Sequence, residues 1–345
     1  MSKRFTLHVI AFPWECHHDI DLLIAYVSSR QFNTIPIFFI CSGYADLNKS
    51  GCEILNYHKA RNINFFCSDC YQQKKHFVLN FCRLFGLTKY IVIDGLVTQN
   101  NSNAKISDIY STIFKRYRVS SLSELFELDT FPQAEFNNES FLSSSLSLTI
   151  LDIIENHDII FSTVFNGRFS PYKAILRTLR ENGVKCLIHE RGKRKGSFLF
   201  LRNISVEHTD LITSHILSQS QPLSNNQSDT LYNQLNLQRS GKGTNALSDF
   251  TKNYSDSSQL TYSKDSYIVY FTSGLEEKMS SSCDFTVDRL IQDISILHQV
   301  AVSYQKALVI RHHPNLAALG SNKPSQFLLD HVDKLSNILS NLHIL

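Results

Sequence analysis

Short runs of consecutive Val, Ile, Leu and Phe alternate along the chain with longer segments in which apolar residues recur every third or fourth position. Uninterrupted apolar runs suit strands covered on both faces, and the longer period suits helices with one buried side. The pattern predicts strands at 5–12, 34–41, 90–94, 158–163, 184–189, 267–272 and 307–311. It predicts helices at 19–30, 71–85, 106–115, 140–154, 171–182, 205–217, 287–304 and 326–339. Strands alternating with helices predict the doubly wound α/β class, a parallel sheet with helices on both faces.

Between residues 218 and 266 the composition turns to Ser, Asn, Gln and Thr, which reads as a polar linker or domain junction between 1–217 and 267–345. The second segment shows two clear strands and two helices, and Asn341 to Leu345 reads as a further strand beginning. A sheet of two or three strands makes a small core, so this second domain is expected to be incomplete.

The chain has 345 residues, with 34 Lys and Arg against 31 Asp and Glu, a net charge of only +3. So even a balance argues against a nucleic-acid partner, and any basic site should be a local pocket for a phosphate. Lys3 and Arg4 before the apolar stretch 5–14 imitate a signal peptide, but the stretch is short, contains His8 and lacks a small-x-small cleavage site. The longest other apolar run, 35–41, falls far below the ~18 residues of a spanning helix, so a soluble, cytoplasmic protein is expected. The eight cysteines are scattered and expected to stay reduced. Cys67 and Cys70 form the only C-x-x-C; a zinc site would need a second pair, for which Cys52 and Cys82 are the candidates, and structural thiols are the preferred reading.

Ligands of open α/β sheets bind at the carboxyl ends of strands, so the chemistry is sought in the loops that follow them. After 158–163, Gly167 permits a tight turn, Asn166 and Arg168 offer donors, and Ser170 with Pro171 reads as an N-cap and first helical residue. Such a loop suits an anion or a sugar hydroxyl; its alternative is an ordinary capped turn with a surface arginine. The next strand runs into His189, Glu190, Arg191 and Gly192. A glutamate among cations stays ionised, as an acceptor for hydroxyls or a general base, or it merely pairs with Arg191. If these two strands are neighbours, Asn166, Arg168, His189 and Glu190 should line one cleft.

In the second segment 307–311 leads into Arg311, His312, His313 and Pro314. The proline holds His313 extended, and Arg311 with His313 can bind a phosphate and offset developing charge, the alternative being one core and one surface histidine. Thr272, Ser273 and Gly274 form a hydroxyl-rich turn that either touches a phosphate or base or is an ordinary turn. Asp19, Ile20 and Asp21 match the D-x-D of metal-dependent sugar-nucleotide transferases, but they open a predicted helix, where the dipole alone favours carboxylates. His17 and His18 beside them do not repeat at ligand spacing. No G-x-G-x-x-G and no P-loop follows a strand, so a dinucleotide oxidoreductase or NTPase has no support.

Taken together, Phe12 to His18, Phe165 to Arg168, His189 to Gly192 and Arg311 to Pro314 resemble the bacterial capsule polysaccharide biosynthesis proteins, which are related to Kdo-transferring and lipopolysaccharide-modifying enzymes. The resemblance spans the chain loosely. It implies a GT-B glycosyltransferase with two facing Rossmann-like domains, acceptor site in the first and nucleotide-sugar site in the second. The implied reaction moves a sugar from a nucleotide-sugar donor, CMP-linked in the related transferases, to a growing capsule or lipopolysaccharide-type glycan or a lipid-linked acceptor. By that similarity His313 would contact the donor phosphate, and the carboxylate expected to activate the acceptor hydroxyl is Glu190, from its place at the strand end. With the strand-end readings above, Asn166, Gly167, Arg168, His189 and Arg191 are expected to bind the acceptor, and Ser273 and Arg311 the donor. No metal or other cofactor is implied, and the setting is the cytoplasm, including the inner face of the membrane. Such proteins normally continue further, so a shortened, non-catalytic glycan- or nucleotide-binding relative is the second reading.

Overall fold

A computed structural model describes residues 3–12, 15–44, 64, 66–97, 105–117, 133–192, 197–203, 211, 214, 218, 224–239, 267–271, 287–311 and 342–344. The chain divides into two compact units, Met1–Ile109 with Gln133–Ser255 and Tyr110–Pro132 with Asp256–Leu345.

The first unit is built on six strands, β1 (Phe5–Ile10), β2 (Ile35–Tyr44), β3 (Ile91–Val97), β4 (Ile159–Phe165), β5 (Cys186–Arg191) and β6 (Phe198–Arg202). Their order is β3-β2-β1-β4-β5-β6, with the first five parallel and β6 antiparallel to β5. Chain order runs outward from β1 to β3 on one side and restarts with β4 on the other, so the topological switch lies between β1 and β4, as in a Rossmann-like sheet. Helices α1 (Glu15–Phe32), α2 (Cys67–Leu84), α4 (Gln133–Asn156) and α5 (Tyr172–Glu181) cover the sheet, and α3 (Ile106–Tyr117) runs across the boundary between units.

The strand side chains alternate between two layers. Ile10, Phe38 and Ile40 pack with Leu22 and Ala25 of α1 and Val78 and Cys82 of α2. Leu7, Val9, Ile37 and Phe39 pack on the other face with Leu146 and Ile150 of α4 and Ile175 and Leu179 of α5. Each such side chain contributes roughly 1.5–3 kcal/mol by leaving water, which explains why the apolar runs become strands. At Gly95 in β3 an added Cβ would lie 2.5 Å from the Phe39 ring, so only glycine fits beneath that layer.

The sheet is mixed, not wholly parallel as expected. In β6, Leu201 is buried and Leu199 packs on the core, whereas Phe200 is 48% exposed, the one-sided pattern of an edge strand joined to its neighbour without a crossover helix. The polar stretch also holds a helix, α6 (Asn225–Arg239). Its start is a capping box, with the Ser224 backbone N–H donating to Gln227 Oε1 (2.9 Å) and the Gln227 N–H to Ser224 Oγ (3.4 Å). The helix expected at 326–339, and most of that at 205–217, lie outside the described residues.

The second unit contains a parallel sheet of β7 (Tyr267–Phe271), β8 (Ala307–Arg311) and β9 (Leu342–Ile344), in that order, and α7 (Val287–Ser303). Leu308, Val309 and Ile310 of β8 are fully buried, with Ile294 and Ala301 of α7. Among the described residues no helix is long and apolar enough to cross a membrane.

Candidate functional site

At the carboxyl end of β1 the backbone is consumed by side chains from distant helices. Tyr172 Oη, at the start of α5, accepts the N–H groups of Ala11 (3.1 Å) and Phe12 (3.3 Å). Lys74 of α2, fully buried, donates to the carbonyls of Ala11 (2.9 Å) and Cys41 (2.7 Å), tying β1 to β2, and the Phe12 carbonyl meets His18 Nε2. A nucleotide-binding Rossmann sheet needs free N–H groups in this loop for phosphate. Here those of Ala11 and Phe12 are already used.

Beside this lock lies a buried cluster of titratable side chains. Asp21 and His189 are both fully buried, and His189 Nε2 lies 3.0 Å from Asp21 Oδ1, with His18 Nδ1 3.9 Å from Oδ2. Burial pushes the Asp21 carboxyl up, but the His189 imidazole with its hydrogen bond and the nearby His18 ring outweigh it, holding Asp21 well below the usual carboxylate range. His17 rests on the Phe165 ring, centroids 3.9 Å apart, and is pushed down to about 4, first by burial and then by His189 and Arg191. His8, in mid-strand, bonds Thr163 Oγ1 (2.9 Å) and Thr6 Oγ1 (3.0 Å) and is also pushed down to about 4 by burial, against the attraction of Asp21.

The ends of β4 and β5 are organised differently. Phe165 pairs with His189, and the Asn166 N–H donates to the His189 carbonyl at 2.9 Å. Asn166 sits in the left-handed region (φ 57°), which asparagine tolerates because its amide bonds locally, here accepting the Arg168 N–H at 3.0 Å. Its Nδ2 donates to Glu190 Oε2, while Glu190 Oε1 accepts the Arg191 N–H at 2.8 Å. Glu190 is half-buried and Arg191 exposed; Arg168 is half-buried, its guanidinium 4.3 Å from the Phe169 ring centroid. Thus Asn166, Arg168, His189 and Glu190 gather at adjoining strand ends. Alternation then separates them: His189 turns to the α1 layer and Asp21, whereas Glu190 meets Asn166 at the rim.

Two details depart from expectation, and one bears on an alternative left open. Ser170 does not cap α5: its hydroxyl donates to the buried Glu139 of α4 at 2.8 Å and lies 2.7 Å from Ser143 Oγ, and Pro171 takes the cap position without a side-chain bond. Glu190 takes the backbone N–H of Arg191 as well as Asn166, so it is more than a partner for the Arg191 charge. Asp21, attributed to the helix dipole, is instead the buried partner of His189, and His17 and His18 belong to the same cluster. Nothing local in the sequence signals that pairing, although the clustered His17, His18 and Asp21 mark the helix start as unusual.

In the second unit the backbone of Arg311 closes β8, opposite Phe271 at the end of β7. The Arg311 side chain, Ser273 and His313 lie outside the described residues. Burial pushes the Cys70 thiol up, against the pull of the Lys74 ammonium, the opposite of what a reactive C-x-x-C requires. Among the described residues no three His, Cys, Asp or Glu side chains could hold one metal ion.

No protein-family model matches the chain, and a search of curated proteins finds no match either.

Proposed function

We propose that the protein is a GT-B-type glycosyltransferase that moves a sugar from a nucleotide-sugar donor to a growing capsule or lipopolysaccharide-type glycan. The observation that carries this reading is the Asn166 to Glu190 contact across the ends of β4 and β5, one strand from the topological switch. A carboxylate fixed by two donors, still partly exposed, can accept a proton from a sugar hydroxyl, while Asn166 orients it and the half-buried Arg168 offers N–H groups to neighbouring hydroxyls. In this reading residues 1–217 hold the acceptor and 267–345 the donor, whose departing phosphate is offset by Arg311 and His313 and touched by Ser273. The transfer takes place in the cytoplasm or at the inner face of the membrane.

One observation favours a second reading, a glycan- or nucleotide-binding protein without turnover: both Glu190 oxygens already accept a hydrogen bond. A single experiment separates them. CMP-, UDP- and GDP-linked sugars are offered with glycan acceptors, products are read by mass spectrometry, and thermal shifts with the free nucleotides are recorded alongside. Transfer from one donor class supports the transferase. A thermal shift without product supports the binding protein, and neither response overturns both.

A further inference from the structure

The amino ends of β1, β2 and β3 lie side by side: the Ile35 N–H donates to the Arg4 carbonyl at 3.0 Å, and Ile37 pairs with Ile91. Helices α1 and α2 finish at the same end of the sheet, at Phe32 and Leu84, just before β2 and β3 begin. Their ends touch, with the Tyr26 and Phe85 rings 5.6 Å apart and Phe85 stacked on Phe81 at 4.3 Å.

Two kinds of side chain meet at this corner of the first unit. Phe32, Leu84 and Phe85 are 57%, 76% and 47% exposed, bulky apolar groups held in water. Around them stand Lys3, Arg4, Arg30, Arg83 and Lys89, all exposed. The segments that carry these eight residues, 3–5, 30–35 and 83–91, contain no Asp or Glu. Among the described residues none of the five cations has an ion-pair partner. Arg30 lies over the Tyr26 ring at 5.5 Å and Arg83 donates to Asn80 at 3.1 Å, so both are steadied without being neutralised. The other half of the same sheet end is mixed, with Asp152, Glu155, Asp158 and Glu181 beside Arg180 and Lys185.

Two of the cations have a local reason, since Arg30 and Arg83 occupy last helical turns, where the dipole favours positive charge. Lys3, Arg4 and Lys89 have none. In a chain whose net charge is only +3, five unopposed cations at one corner are a local concentration. Three large apolar groups exposed within a charged rim mark a surface that meets something else.

We propose that this corner is a docking face for an anionic lipid bilayer. Phe32, Leu84 and Phe85 enter the boundary between headgroups and acyl chains, and the five cations meet the lipid phosphates. A nucleic acid would match the charge but leave the apolar groups in water, whereas a bilayer takes both. The face lies at the opposite end of the strands from Asn166 and Glu190, so docking leaves their rim open, and it does not rest on the transferase reading.

The test is flotation of the full chain with vesicles of phosphatidylglycerol and phosphatidylcholine, against vesicles of phosphatidylcholine alone, with binding to duplex DNA followed in parallel. Saturable binding to the anionic vesicles is expected, weakening with salt, and little to the neutral ones. Arg4→Glu with Lys89→Glu should weaken it roughly tenfold or more, and Lys185→Glu, on the mixed half, should leave it nearly unchanged. Leu84→Ser with Phe32→Ser should weaken it by a similar factor while keeping its salt dependence. If that pair melts early, Leu84→Ser alone, at the most exposed of the three positions, should give a smaller loss in the same direction. Absence of binding to anionic vesicles, equal binding to neutral ones, full binding by either double variant, equal weakening by Lys185→Glu, or tighter binding to duplex DNA would each overturn the docking face. Vesicle binding without sugar transfer from any donor would retain the face and remove the transferase, whereas transfer without vesicle binding would do the reverse.

Discussion

The carboxyl ends of β1 and of the β4–β5 pair occupy equivalent places beside the topological switch, yet they are built to opposite ends. After β1, the N–H groups of Ala11 and Phe12 and their carbonyls are taken by Tyr172, Lys74 and His18, side chains from three helices. After β4 and β5, polar side chains face one another at a half-open rim, and the bonds they make are local to Asn166, Glu190 and Arg191. The difference teaches that strand-end position alone does not make a site. The loop that binds phosphate in nucleotide-binding sheets serves here as a structural clasp, and the half-open polar rim lies one strand away.

The contrast is broken most severely at Asp21. Asp21→Ala leaves His189 and His18 without their buried carboxylate and should cost about 3–5 kcal/mol, measured as a shift in the denaturant midpoint. A change within the ordinary surface range would mean that the cluster is not part of the clasp.

The next effect is on pH dependence. His8 and His17 take up a proton near 6.5 when unfolded but only near 4 when folded, so between these values the unfolded chain holds more protons. Stability therefore rises with pH across that window, and is lost as the pH falls from about 6.5 towards about 4. For the fully buried His8 the loss approaches about 3 kcal/mol, and replacing it by Gln should flatten the profile of melting temperature against pH.

Tyr172→Phe removes the acceptor of two buried N–H groups while keeping the ring, and should cost about 1–3 kcal/mol by urea unfolding. Glu190→Gln, on the open side, keeps the shape and should change stability by less than about 1 kcal/mol. A loss at Glu190 as large as that at Tyr172 would erase the distinction between the two ends.

Much of this architecture is legible from the residues alone, for definite reasons. Strands β1 to β5 and β8 are each centred on a short apolar run, and the carboxyl ends of the parallel neighbours β4 and β5 belong together, so the meeting of Asn166 and Glu190 follows from order. Strand β6 is hidden because its apolar run, Phe198 to Leu201, is only four residues long, and α6 because its polar composition masks the Ser224–Gln227 capping box. Asp21 is illegible for a different reason: its partner His189 lies 168 positions away, and a carboxylate in a first helical turn has a sufficient local explanation. Lys74 likewise reads as one more cation on an amphipathic helix until the fold buries it against two strand ends.

The central claim is that Glu190 acts on an acceptor hydroxyl and contributes little to the fold. It is tested most directly by the rate of sugar transfer from the active donor class, measured for the wild-type chain and Glu190→Gln at equal folded concentration. The account predicts a fall of about 10²–10⁴-fold with unchanged affinity for the nucleotide. Equal rates would contradict it and leave the Asn166 to Glu190 contact as a turn in the scaffold.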